Sequence, residues 1–425
     1  MDDRPVLVTS APVPGHSLTV IKWLTFLMFM MFAMTTDSVG VIIPQVIKEF
    51  HLSMTAGGAF HYVTMSAIAI AGISLGFLAD KLGRKKVIVL GLVLFALNSY
   101  LFAIGNSFAF FLLLLAISGA AIGIFKTGAL ALIGDISKST TEHTSMMNNV
   151  EGFFGVGAII GPAIVAFLLH RGVSWKWLYV IAGTVCVLLI LTALRVRYPQ
   201  TMKVSEEPID LGRTLKKLAD PYAMAFSMGI FLYVAVECAI YVWMPTLLAS
   251  YRGSAVFFAT YALSIFFVLR AGGRFLGAWA LSRYNWTTLL GVFSTAILLC
   301  FAGSVFLGLN VAVFLLPISG LFMSVIYPTI NSKGISCFPK AEHGAVAGLI
   351  LFFTCGAAAL GPLAMGAVSD HFGEPKYGFF LATGFAALLC LGSLLNWAMD
   401  PTRELLKKLD RTEYEAGGTV GEPAV

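Results

Sequence analysis

Runs of roughly 20 apolar residues, each long enough to cross a bilayer, fill this chain almost end to end. Twelve are read, near 21–47, 56–79, 86–104, 108–133, 145–169, 175–195, 222–249, 256–281, 286–307, 311–335, 345–368 and 376–398. In hydrocarbon a single segment satisfies its own backbone N–H and C=O groups only as a helix. The expected fold is therefore an all-α membrane protein of twelve transmembrane helices. Hydrophobic residues make up 58% of the 425 positions and charged residues only 12%. That balance excludes a soluble domain of this length. The first 20 residues are mostly polar and lack a small-residue cleavage site, so the first span is expected to remain as an anchor rather than be removed as a signal peptide.

Orientation follows from the 28 Lys and Arg residues. With the N-terminus inside, twenty fall in segments on or bordering one face and five on the other, and the richer face is the cytoplasmic one. Both termini are expected in the cytoplasm and the protein in the cell (inner) membrane. The formal net charge of +6 then belongs to a rim facing anionic headgroups, and no nucleic-acid partner is needed to explain it.

The chain repeats itself. Glu142-His143, followed by a run ending Gly161-Pro162, recurs as Glu342-His343 and Gly361-Pro362, an offset of 200. The same offset carries Asp37 onto Glu237, and Gly76-x-Leu78 falls within one residue of Gly277-x-Trp279. Two pseudo-repeated six-helix bundles follow, 1–195 and 222–400, joined by a solvated linker at 196–221 and ending in a cytoplasmic tail at 401–425. Such a repeat places a substrate near the bilayer midplane and exposes it to each side in turn.

Ionisable residues inside the apolar runs carry the chemistry. Each costs about 2.5–3.5 kcal/mol near a helix centre unless it pairs or faces a polar cavity. Asp37 lies in the first span, Lys126 in the fourth, Glu151 in the fifth after Asn148, Glu237 in the seventh and Arg270 in the eighth. Helical spacing groups Asn148 with Glu151, Tyr233 with Glu237 and Tyr241, and Tyr327 with Asn331. Aromatic faces beside hydrogen-bonding groups suit a polyhydroxylated ligand. Trp243 fits either that surface or an interfacial belt. Asp37, Glu151 and Glu237 are the candidate proton-coupling sites, since a carboxylate in a cavity that alternates between dry and wet can load and release a proton. Lys126 either pairs with one of those acids or binds a substrate carboxylate. Arg270 either neutralises an acid or anchors an anion.

From Gly76 the chain reads Gly-Phe-Leu-Ala-Asp-Lys-Leu-Gly-Arg-Lys-Lys, ending at Lys86. The pattern resembles the loop between the second and third helices of the major facilitator superfamily of secondary transporters. That resemblance implies a major facilitator fold with a cytoplasmic gate at Gly76, Asp80, Gly83 and Arg84, and places the five ionisable residues on helices lining the cavity. Leu281 stands where a second Asp80 would be, so the two gates are expected to differ. Phe231-Leu-Tyr-Val-Ala-Val-Glu, Gly273-Arg-Phe-Leu-Gly-Ala-Trp and Ile326-Tyr-Pro-Thr-Ile further resemble the fucose-permease group of sugar–proton symporters. The resemblance implies proton-coupled transport of a sugar or sugar-like metabolite. Lys126 stands about where that group carries an acid and Glu151 where it carries an amide, a departure that opens transport of a sugar acid or other organic anion. Gly157, Gly161 and Pro162 partly match an element of drug–proton antiporters, which makes drug export the other alternative.

Six scattered cysteines form no Cys-x-x-Cys pair, and seven histidines show no metal spacing. His61 in the second span is the one histidine worth testing as a cavity residue. Without a phosphate-binding loop or a nucleophile–base set, neither ATP-driven transport nor an enzyme is expected. Neither a cofactor nor a metal is expected. The expected partners are a small-molecule substrate, protons and the lipid bilayer, with the chain acting as a monomer.

Overall fold

The computed structural model describes residues 15–75, 78, 82–136, 140–199, 217–281, 283–338 and 343–409. Among these there is no strand, and eleven helical stretches are long and apolar enough to cross a membrane. The remaining expected span corresponds to Ala59–Leu75, seventeen residues of described helix. In chain order the helices are α1 (Gly15–Thr36), α2 (Val39–Phe50), α3 (Met54–Gly57), α4 (Ala59–Leu75), α5 (Arg84–Leu101), α6 (Phe108–Ile136), α7 (Thr140–His170) and α8 (Trp177–Arg195). After the linker come α9 (Pro221–Cys238), a π-helical turn (Ala239–Trp243), α10 (Met244–Leu248), α11 (Val256–Thr260), α12 (Ala262–Leu281), α13 (Trp286–Phe306) and α14 (Leu309–Met323). The last four are α15 (Ile326–Ser336), α16 (His343–Phe372), α17 (Pro375–Met399) and α18 (Arg403–Leu409).

Contacts divide the chain into two compact units, 1–37 with 63–206, and 38–62 with 207–425. In the first, α1 packs on α7 and α5 on α6. Its centre is an aromatic cluster: Phe125 lies 5.2 Å from Phe29 and 4.7 Å from Phe32, and Phe32 lies 4.8 Å from Phe95. The buried Asn98 amide donates to the Leu114 carbonyl at 2.8 Å and to Ser118 Oγ at 2.7 Å, pinning α5 to α6 without leaving its donors idle. Close approach of α7 to α1 needs the missing side chain at Gly157, where a Cβ would collide with the Met30 carbonyl.

In the second unit α9 packs on α16, α12 on α14 and α13 on α17. The segment 38–62 packs here too, apart from the rest of the first span. Gly40 abuts the Tyr241 carbonyl, Gly58 abuts the Trp243 ring, and Asp370 of α16 accepts from the Met54 and Thr55 amides at 2.6 and 2.8 Å. Asp220 caps α9 through the Tyr222 and Ala223 amides at 2.9 and 3.1 Å, with Pro221 supplying a first helical residue that has no N–H to lose.

Gly157→Ala should therefore lower the thermal midpoint of the detergent-solubilised protein by an amount corresponding to about 1–3 kcal/mol. Gly152→Ala, where a Cβ meets nothing within 4 Å, serves as the control and should leave it unchanged. Equal midpoints for the two variants would contradict the close packing.

Candidate substrate site

Helix breaks position the candidate residues. In the first unit α1 stops at Thr36, a turn at Asp37 and Ser38 follows, and α2 begins at Val39. Asp37 is thus at a discontinuity, half-buried, and accepts from the Thr36 hydroxyl at 2.9 Å. Lys126 is also half-buried, and its Nζ lies 5.5 Å from the centre of the Phe154 ring. Among the described residues no carboxylate lies within ion-pair distance of Lys126. Phe154 stands one turn after Glu151 on α7, so the ammonium and the exposed Glu151 border the same helix. The Asn148 side chain lies outside the described atoms.

In the second unit the break is the π turn directly after Cys238. Tyr233 and Glu237 precede it, one turn apart. Glu237 is 7% exposed, and its Oε1 receives the Arg270 guanidinium at 2.6 Å and the Tyr233 hydroxyl at 2.8 Å. The same hydroxyl lies 3.0 Å from the carbonyl of Met323, the last residue of α14 before the chain breaks and resumes as α15. The Tyr327 ring sits 6.2 Å from that of Tyr233, with its hydroxyl 3.4 Å from Thr354 Oγ1. Asn331 follows one turn later, half-buried. The result is a carboxylate–guanidinium pair flanked by two phenols at the junction of α9, α12, α14 and α15.

Tyr241 parts from the Tyr233–Glu237 ridge. The π turn widens the helix, and the Tyr241 hydroxyl goes to Cys238 Sγ at 2.7 Å while its ring meets His61. Trp243 is 1% exposed and donates from Nε1 to the Pro362 carbonyl at 3.0 Å, a packing position rather than an interfacial belt.

At the expected gate Gly76 and Asp80 lie outside the described residues. Gly83 caps α5 at φ 86°, a backbone conformation natural only to glycine. Arg84 is 3% exposed, and its Nε donates to Asp135 at 2.9 Å. Sequence reasoning missed Asp135, whose one signal is an acid closing an apolar span. Lys85 caps the end of α8 through the Leu194 and Val196 carbonyls at 3.0 and 2.8 Å, over the Tyr198 ring. Burial pushes the Tyr198 phenol up to about 12, so it stays neutral at physiological pH.

A bundle of membrane-length helices broken beside ionisable residues can be matched to known proteins. The Major Facilitator Superfamily profile matches residues 25–362. The chain belongs to the Major Facilitator Superfamily. It is therefore a multi-pass membrane transporter and not an enzyme. The Staphylococcus aureus quinolone resistance protein NorA is 29% identical over 160 residues, covering 37% of this chain and 40% of NorA. The nucleoside transporter NupG superposes with a TM-score of 0.70 at 16% identity over 90% of this chain and 98% of NupG. The E. coli fucose:proton symporter FucP gives 0.60 at 22% identity over 89% of this chain and 98% of FucP. These structural likenesses show the fold.

Arg270→Gln should leave the Glu237 charge buried and uncompensated, at about 3–5 kcal/mol. The double variant Arg270→Gln with Glu237→Gln should recover most of the loss in thermal midpoint. A single variant as stable as the parent would mean that the pair is not formed.

Proposed function

We propose that this chain is a proton-coupled secondary transporter of a small polar solute, a sugar or sugar-like metabolite, working by alternating access. The observation that carries this reading is the Glu237–Arg270 pair flanked by Tyr233 and Tyr327. Ring faces beside charge-assisted donors and acceptors match the alternating apolar faces and hydroxyl edges of a sugar. A proton fits the charge balance within the first unit, where two acids, Asp37 and Glu151, stand against one cation, Lys126, so one proton neutralises the set; in the second unit Glu237 and Arg270 balance each other. With Glu237 committed to Arg270, the exchangeable proton is assigned to Asp37 or Glu151. The likeness to a fucose:proton symporter supports the same reading at the level of the fold. The rim rich in Lys and Arg, with both termini, is placed on the cytoplasmic side of the cell membrane.

One observation favours a second reading. Lys126 is held over an aromatic ring and not by an acid, which leaves its ammonium able to receive a substrate carboxylate. Lys126→Gln separates the two, since it should weaken uptake of sugar acids at least tenfold while sparing neutral sugars if the solute is an anion. Export of drugs, as the name of the relative NorA indicates for that protein, is the remaining outcome of the substrate panel.

In proteoliposomes screened by counterflow against sugars, sugar acids and lipophilic cations, Asp37→Asn or Glu151→Gln should cut proton-driven accumulation about tenfold or more while sparing counterflow. Exchange does not require the carrier to reset its protonation. Glu237→Gln should depress both. Parental accumulation in both Asp37→Asn and Glu151→Gln would remove these two acids from coupling.

A further inference from the structure

Pro362 interrupts the hydrogen-bond ladder of α16. It has no N–H, so the carbonyl of Ala358, four residues earlier, loses its intrahelical donor. His61 Nε2 lies 3.2 Å from that oxygen. The only atom there able to give a proton is the imidazole nitrogen, which fixes the tautomer: Nε2 carries the hydrogen and Nδ1 the lone pair. His61 is 1% exposed, and its Nδ1 is buried with no hydrogen-bond partner among the described residues. On its other side the ring meets Tyr241 of the π turn at 5.3 Å between centroids, in an edge-on arrangement.

Among the described residues no charged group faces this ring. The Tyr241 hydroxyl is taken by Cys238 Sγ, and Glu237 before it by Arg270 and Tyr233. Asp370, the acid of α16, lies twelve residues beyond Ala358, about 18 Å along the helix, where it holds the Met54 and Thr55 amides. Tyr62, the next residue along the chain, is the other titratable group at the start of α4. Lys48, Glu49 and His51 sit at the far end of α2, beyond two further turns of chain.

We propose that His61 is a proton-binding site that governs whether the segment 38–62 stays packed on the second unit. As the neutral imidazole it pins the start of α4 to the one carbonyl of α16 that a proline has freed. A proton added at Nδ1 makes an imidazolium whose new N–H has no acceptor and whose charge has no counter-ion. Burying such a charge unpaired is strongly disfavoured, so proton uptake accompanies the lifting of the segment and the entry of water to the ring. The N–H bond that forms at Nδ1 replaces an O–H bond of the hydronium ion that arrives with the entering water, and a water molecule is released. Because the segment begins at Ser38, one peptide bond past Asp37, its release reaches the candidate substrate site directly. The offset of 201 that relates Pro44 to Pro245 and Gly76 to Gly277 puts Ala262 where His61 stands, so the repeat carries no second titrating copy. This site is separate from the coupling carboxylates proposed above and needs no substrate to be observed.

The test is hydrogen–deuterium exchange of the full chain in nanodiscs between pH 5 and 8, with rates corrected for the intrinsic pH dependence of exchange. In the parent, peptides covering residues 52–62 should open about tenfold more per pH unit below roughly 6.5, the value of an exposed histidine, and level off above it. A peptide around Gly157 should show no such slope. His61→Gln keeps a donor that reaches the Ala358 carbonyl but binds no proton, so its protection should be high and flat with pH. His61→Asn is too short to reach that carbonyl and should be weakly protected at every pH. The proposal fails if the parent shows no slope, if His61→Gln follows the parental slope, or if His61→Asn is protected like the parent. Because no solute is present, such a failure leaves the coupling role of Asp37 and Glu151 to be judged by transport alone.

Discussion

A backbone carbonyl inside hydrocarbon must find a donor within the protein, because no water is there to supply one and an orphan costs several kcal/mol. Every departure from regular helix in this chain raises that demand. The end of α14 meets the Tyr233 hydroxyl, whose one hydrogen is shared between the Met323 carbonyl and Glu237. The gap that Pro362 leaves in α16 is answered by His61 at Ala358, and the Pro362 carbonyl itself receives Trp243. At the end of α8 the donor is Lys85. Residues that look like ligand contacts in the sequence are thus first of all the donors that make broken helices tolerable. Function and fold meet in the same side chains because transporter sites are typically formed where helices are interrupted, and the interruptions need those donors.

Ion pairs follow the same logic. Arg84–Asp135 in the first unit and Glu237–Arg270 in the second are both largely buried, at 2.9 and 2.6 Å. Desolvation offsets most of the attraction in such a pair, so neither stabilises the fold much beyond what apolar residues would. What they fix is geometry: a guanidinium and a carboxylate that must stay together hold two helices in one register. The exposed pair Lys376–Glu374, by contrast, is a solvated contact worth little.

The membrane-crossing helices were legible in the sequence because they rest on a property of single residues, apolarity, sampled over about 20 positions. Pairings were less so. Glu237 had Arg270 among its possible partners, yet nothing in the spacing distinguished Arg270 from Lys126, which the fold sends to Phe154 instead. Arg84 reads as one of three cations on a solvated turn, and only the position of Asp135 at the end of α6 makes it a buried partner. Tyr241 sits at ideal helical spacing from Glu237 and still leaves that face, because spacing rules assume a regular helix and the π turn is not one.

That π turn has a cause visible in the repeat. Asp37 and Glu237 are related by an offset of 200, whereas Pro44 and Pro245 are related by 201, as are Gly76 and Gly277. The second half therefore carries one residue more than the first between its acid and its proline. A helix cannot absorb a single extra residue without either rotating everything beyond it by about 100° or widening one turn. The chain widens the turn at Ala239–Trp243, so the extra residue is taken up among the residues of the bulge. Tyr241 is one of them, and its displaced ring is the surface against which His61 rests. The copy in the first half, with no extra residue, breaks at Asp37 by a simple turn instead. The two acids thus occupy equivalent positions but unequal surroundings, one drawn into an ion pair beside a bulge and the other held by a neighbouring threonine. The partner differs as well: at the offset of 201 Ala69 stands where Arg270 does, so the first acid has no guanidinium in the equivalent position to draw it into a pair.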